Sequence, residues 1–197
     1  IYYESRLAKL DLNYAEINAL SEQVDEVIED EEDLSRREKT KGEWSRLEKL
    51  VGSLPRLQQV AVDLVNHFET RTQVVEGKAI IVAMSRDICA QLYNEIVKLR
   101  PEWHDSDPEK GVIKVIMTGS ASDKQLLQPH IYNNQTKKRL EKRFKNANDA
   151  FKLVIVRDMW LTGFDAPCCH TMYVDKPMKG HNLMQAIARV NRVFKNK

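Results

Sequence analysis

Leu153-Val154-Ile155-Val156-Arg157-Asp158, then Met159-Trp160-Leu161-Thr162-Gly163-Phe164-Asp165-Ala166-Pro167, then Thr171-Met172-Tyr173-Val174, and last Gln185-Ala186-Ile187-Ala188-Arg189-Val190-Asn191-Arg192: this stretch decides the fold. Two short apolar runs, each followed by a polar element, describe buried strands at one edge of an open α/β sheet. The polar loop between them carries a hydroxyl, a glycine and an acid. The closing segment has helical spacing and two arginines three residues apart. In sheets of this kind ligands sit at the carboxyl ends of the strands. Thr162, Gly163, Asp165, Arg189 and Arg192 are therefore candidates to converge on one ligand.

Upstream, the same grammar repeats. Lys78-Ala79-Ile80-Ile81-Val82-Ala83-Met84 is a continuous apolar run, followed by Ser85 and Asp87, which open a helix over 88–99 that Pro101 closes. Val112 to Met117 is a second strand, with Thr118-Gly119-Ser120 behind it, and 135–145 is a polar, basic helix. Strand, helix, strand, helix, strand, strand, helix predicts an α/β fold with a mostly parallel sheet flanked by helices. Before Gly77 the pattern differs. From Asn13 to about Arg71 only helical spacing is found: Ala15 to Ile28, then Trp44, Leu47, Leu50 and Val51, then a break at Gly52-Ser53-Leu54-Pro55, then Leu57 to Phe68. This part reads as a helical appendage or insertion. Its acidic run over 22–33 would repel DNA and suits solvent or a basic partner surface.

The 197 residues, 42% of them hydrophobic, are enough for a real core, and the net charge of +2 neither demands nor excludes a nucleic-acid partner. Cys89, Cys168 and Cys169 form neither a disulfide framework nor a zinc spacing, which fits a reducing cytoplasm. The histidines make no ligand spacing, so no metal site is expected. No stretch approaches ~20 apolar residues, so no membrane partner is expected. The ends of the chain read as cuts from a longer protein.

Thr162-Gly163-Phe164-Asp165 followed by Gln185-x-x-Ala188-Arg189-x-x-Arg192 resembles motifs V and VI of superfamily 2 helicases. Ala188 stands where glycine is usual, a small-for-small departure that keeps both arginines. The longer strings from Leu153 to Lys195, from Ile1 to Leu10 and from Gly77 to Tyr93 resemble the motor, or R, subunit of type I restriction–modification enzymes. The resemblance implies a RecA-like second lobe over 72–197, a helical insertion over 13–71, and a linker or first strand from the preceding lobe over 1–12. It implies that Arg192 is an arginine finger, that Arg189 assists on the phosphates, and that Gly163, Asp165 and Gln185 hold nucleotide. It further implies that Ser85, Arg86, Thr118 and Thr162 grip the phosphate backbone of duplex DNA, and that methyltransferase and specificity subunits are partners.

The chemistry suits those residue types. Phosphoryl transfer needs fixed positive charge against the γ-phosphate, and arginine supplies a permanent charge on a rigid fork. Arginines three apart share a helix face; salt bridges from this pair to Asp158 or Asp165 are the competing structural role. The sequence has no Gly-x-x-x-x-Gly-Lys-Ser/Thr loop and no acidic Mg²⁺ motif. ATP and its Mg²⁺ would therefore be held mainly by a first lobe that this chain lacks, and the chain alone should not hydrolyse ATP. The alternatives are the second lobe of another superfamily 2 repair or remodelling ATPase, and a non-catalytic module that binds nucleic acid or protein. The basic segment Lys137, Lys138, Arg139, Lys142, Arg143 and Lys145 is either an auxiliary DNA contact or a solvated helix face.

Overall fold

A computed structural model describes residues 4–6, 37–161, 163–178 and 180–190, with the side chains at 37–43, 182, 189 and 190 left aside. Helices α1 (Arg37–Val51) and α2 (Leu54–Val74) come first. Strand β1 (Lys78–Ala83), helix α3 (Arg86–Leu99), β2 (Ile113–Ile116), α4 (Asn134–Lys145), β3 (Leu153–Val156), β4 (Cys169–Asp175) and α5 (Gly180–Val190) follow. The four strands form one sheet in the order β2-β3-β1-β4, and every pairing is parallel. The α/β fold with a parallel sheet flanked by helices is the one expected.

β1, β2 and β3 are buried along their whole length because both sheet faces are covered there, whereas β4 is partly exposed. Ala79, Ile81 and Ala83 of β1 join Val115 and Ile155 in a core under α2 and α3. The alternate residues Ile80 and Val82 join Ile116, Val154 and Val156 under Leu140 and Phe144 of α4. The period of two thus feeds two cores, one per face. Each fully buried aliphatic side chain contributes about 1.5–3 kcal/mol through lost water contact.

Local signals place the helix ends. Ser85 is in extended backbone and its hydroxyl accepts the Ile88 N–H at 3.2 Å, so α3 starts where β1 ends. Asn133 caps α4 by accepting the Thr136 N–H at 2.8 Å. Pro55 sits in the first turn of α2 and ends α1 at the expected break.

The boundary expected at 71 falls inside α2. Leu57, Ala61, Leu64, Val65 and Phe68 are buried in the same core as the sheet. Polar bonds tie α2 to β4 as well: Arg71 Nε donates to Thr171 Oγ1 at 2.8 Å, His67 Nδ1 lies 2.8 Å from Tyr173 Oη, and Arg56 pairs with Asp175. Helical spacing showed an amphipathic helix, and only the packing shows that its apolar stripe faces the sheet. Of the expected linker 1–12, residues 4–6 have no regular structure, and Arg6 reaches Asp63 at 2.6 Å. The acidic helix expected over 13–33 lies outside the described residues.

The basic segment divides. Lys138, Arg139 and Lys142 are exposed, whereas Arg143 is buried. Its guanidinium pairs with both oxygens of Asp149, at 2.8 and 3.2 Å, and donates to the carbonyls of Pro108, Lys110 and Gly111. Lys114 is buried beside it and donates to the carbonyls of Asp105 and Asp107 at 2.6 and 2.8 Å. Two cations from β2 and α4 therefore satisfy the carbonyls of the 105–111 loop. Lys78, also buried, donates to the Arg143 carbonyl at 3.0 Å, and burial pulls its ammonium down to about 8.

Candidate nucleic-acid and nucleotide site

The carboxyl ends of β1, β2 and β3 open onto one cleft of about 610 Å³. Arg86 contributes from the start of α3, Thr118, Gly119, Ser120 and Asp123 from the loop after β2, and Arg157, Asp158 and Met159 from the loop after β3. This is where an open parallel sheet collects a ligand, since successive strand-to-helix turns converge there.

One wall of the cleft is tied down by charge. Arg86 Nη1 donates to Asp123 Oδ2 at 2.7 Å and to the Thr118 carbonyl at 3.0 Å, and Nη2 donates to Asp123 Oδ1 at 3.1 Å. The Ser120 N–H donates to the same carboxylate at 2.8 Å. The Arg86 and Ser120 bonds hold the Asp123 carboxyl below its usual range, and the Asp123 carboxylate raises Arg86 in turn. Next to this pair, Lys124 Nζ donates to Asp87 Oδ2 at 2.6 Å, which raises the lysine. Opposite, Arg157 Nε meets Asp158 at 3.1 Å, and Lys176 Nζ meets the same carboxylate at 2.6 Å.

Of the four residues expected to grip DNA, the structure brings Arg86 and Thr118 into the cleft. Ser85 stands at its root with its hydroxyl engaged as the α3 cap. Thr162 lies outside the described residues. The cleft also holds Arg157, Asp158, Ser120 and Asp123, which the sequence reading did not select. Arg157 and Asp158 close the apolar run of β3, so the strand-end rule that selected Ser85 and Thr118 applied to them equally. Asp123 carries no local signal; only the path of the chain sets it against Arg86.

The residues expected to hold nucleotide lie farther along. Gly163 and Asp165 occupy the loop after β3 and are exposed, and Gly163 has φ +68, a left-handed conformation. Trp160 also has a positive φ, 67°. Its ring is held by stacking on Phe164 at 4.3 Å and by Phe144 at 5.5 Å, an aromatic anchor beneath this loop. Gln185 lies on α5, hydrogen-bonded to His181 one turn earlier. Arg189 belongs to the same helix, one turn after Gln185, but its side chain is among those left aside. Arg192 lies outside the described residues. Asp158, offered above as a salt-bridge partner for the two arginines, has its carboxylate on Arg157 and Lys176.

Gly77-Lys78, the sequence's nearest approach to a phosphate loop, has a packing explanation. A Cβ on Gly77 would stand 1.7 Å from Nε2 of His170. Cys168 and Cys169 are buried, and among the described residues no group of histidine, cysteine and acid is placed to hold a metal. No helix among them is long and apolar enough to cross a membrane.

Comparison with known proteins adds lineage to this geometry. Residues 118–197 match the family described as type I restriction enzyme subunit R domain 3. Over 197 residues, all of this chain, the sequence is 54% identical to the type I restriction enzyme HindI endonuclease subunit of Haemophilus influenzae, covering 18% of that protein. It is 41% identical over its full length to the putative type I restriction enzyme MjaIXP endonuclease subunit of Methanocaldococcus jannaschii, again covering 18% of it. A Staphylococcus aureus type I restriction endonuclease subunit is 42% identical over 64 residues, 32% of this chain and 7% of that protein. The chain thus spans under a fifth of the relatives it matches.

Proposed function

The chain belongs to the R-subunit family of type I restriction enzymes, and we propose that within such a subunit it is the second motor lobe of an ATP-dependent DNA translocase. The observation that supports this most is the cleft at the ends of β2 and β3 and the start of α3, on the sheet whose loop after β3 carries Gly163 and Asp165 and whose last helix carries Gln185. In this reading the cleft grips the phosphate backbone of duplex DNA, which offers repeating charge and no sequence information. Gly163, Asp165 and Gln185 touch nucleotide, with Asp165 accepting from the ribose hydroxyls. Arg192 sets its guanidinium against the γ-phosphate, and Arg189 supports it.

ATP bound with Mg²⁺ supplies the phosphoryl-transfer chemistry, and a first RecA-like lobe of the same polypeptide holds both. This chain's part is to close on that lobe, exclude water and place fixed positive charge where charge develops. Methyltransferase and specificity subunits complete the assembly, and cleavage belongs to another domain. The lobe alone does not turn over ATP.

The test is Arg192→Ala in the full-length subunit. ATPase should fall by about 10³–10⁵, the range measured for arginine fingers, with the melting temperature unchanged. Near-normal ATPase in that variant refutes the finger assignment and favours a module that binds without catalysis.

A further inference from the structure

The two arginines of the cleft are in different states. Arg86 uses three of its five N–H donors inside the protein, two on Asp123 and one on the Thr118 carbonyl. Its surroundings are neutral: Arg86 and Lys124 face Asp123 and Asp87, two positive charges against two negative. Arg157 is exposed, and its ion pair is with Asp158, its own neighbour in sequence. That carboxylate is shared with Lys176, so Arg157, Lys176 and Asp158 leave one unit of positive charge. Lys176 is the more buried cation, with its side chain 17% exposed against 48% for Arg157.

Resting on the reading of this cleft as a DNA grip, we propose that Arg157, not Arg86, takes the backbone phosphate. Arg86 is a positioning residue. With Asp123 it locks the 118–123 loop as the opposite wall, and with Lys124–Asp87 it fastens that loop to the start of α3. Lys176 holds Asp158 and leaves the Arg157 fork free to turn outward. An incoming phosphate replaces a single exposed contact through Nε at Arg157, whereas at Arg86 it would have to displace a bidentate carboxylate.

The experiment measures binding of the full-length subunit to a short duplex of arbitrary sequence, by fluorescence anisotropy over a range of salt. Each phosphate neutralised contributes about 0.9 to the slope of log K against log salt. Arg157→Ala should lower that slope by about 0.9, equally for unrelated sequences, and Arg157→Lys should restore it. Arg86→Ala should leave the slope unchanged and lower the melting temperature. A wild-type slope in a folded Arg157→Ala variant overturns the proposal. So does a slope lost in Arg86→Ala instead. A third overturning result is an unchanged slope with weakened binding of fluorescent ATP, which would assign Arg157 to nucleotide phosphate. None of these outcomes touches the Arg192→Ala result, so failure here is separable from failure of the motor reading.

Discussion

Arg143→Ala tests whether a residue of the basic segment serves the fold or the DNA. The wild-type guanidinium has its side chain 9% exposed against 20% for Asp149, and it lies 5.4 Å from the centre of the Phe151 ring. Removing one partner of a buried ion pair costs about 3–5 kcal/mol, because the other is left charged and dry. The lost bonds to the Pro108, Lys110 and Gly111 carbonyls add little, since that loop is near the surface and water can replace the donor. The expected loss is therefore about 3–5 kcal/mol. Arg143→Lys should recover only part of it, because an ammonium keeps the charge but cannot fork to Asp149 and the carbonyls together. Urea unfolding followed by circular dichroism measures this, with an unchanged m-value confirming the same transition. The pH dependence is a second signature. Burial pushes the Asp149 carboxyl up, but the Arg143 bond, the Phe151 N–H and the nearby cations outweigh it and hold it below its usual value. A depressed folded pKa gives stability that is present above the unfolded value and is lost as pH falls through the folded one. The alanine variant should lose that acid-side decline. A stability loss under about 1 kcal/mol would refute the reasoning, as would a lower salt slope for DNA in the folded variant.

Other expectations follow from single residues. His130 is buried against Tyr93, and burial, with His104 and Lys114 nearby, lowers it to about 4. The folded state therefore favours the neutral ring, so stability is full above about 6.5 and falls with acidification toward about 4; His130→Leu should flatten thermal melts across that window. Gly163→Ala meets nothing within 4 Å yet must hold φ +68, so calorimetry should show a loss of about 1–2 kcal/mol from backbone strain alone. Gly77→Ala should cost more than Gly163→Ala, since its Cβ collides with the His170 ring; equal melting temperatures would contradict this.

Much of the fold was legible in the sequence because its signals are local. The apolar run from Lys78 to Ala83 needs no partner to be recognised as a strand covered on both faces. Ser85 and Asn133 announce helix starts by the chemistry of their own side chains. The motif strings pointed to the restriction-enzyme R subunits, and the full-length match bears that out. Strand-end position selected Arg86 and Thr118, which line the cleft, and it applies equally to Arg157, which lines it too.

What tertiary structure alone decided is which groups meet. The order β2-β3-β1-β4 brings the loops after β2 and β3 to the same cleft as the start of α3, and no periodicity encodes that order. Arg143 and Arg139 look alike in a basic helix, yet one is buried on Asp149 and the other is exposed. Arg86 and Asp123 are 37 residues apart, and only the fold sets them as an ion pair in the cleft. Backbone preference and burial pattern act over a few residues, so a sequence displays them. A charge's role depends on its counter-charge and its access to water, and both are set by the path of the whole chain.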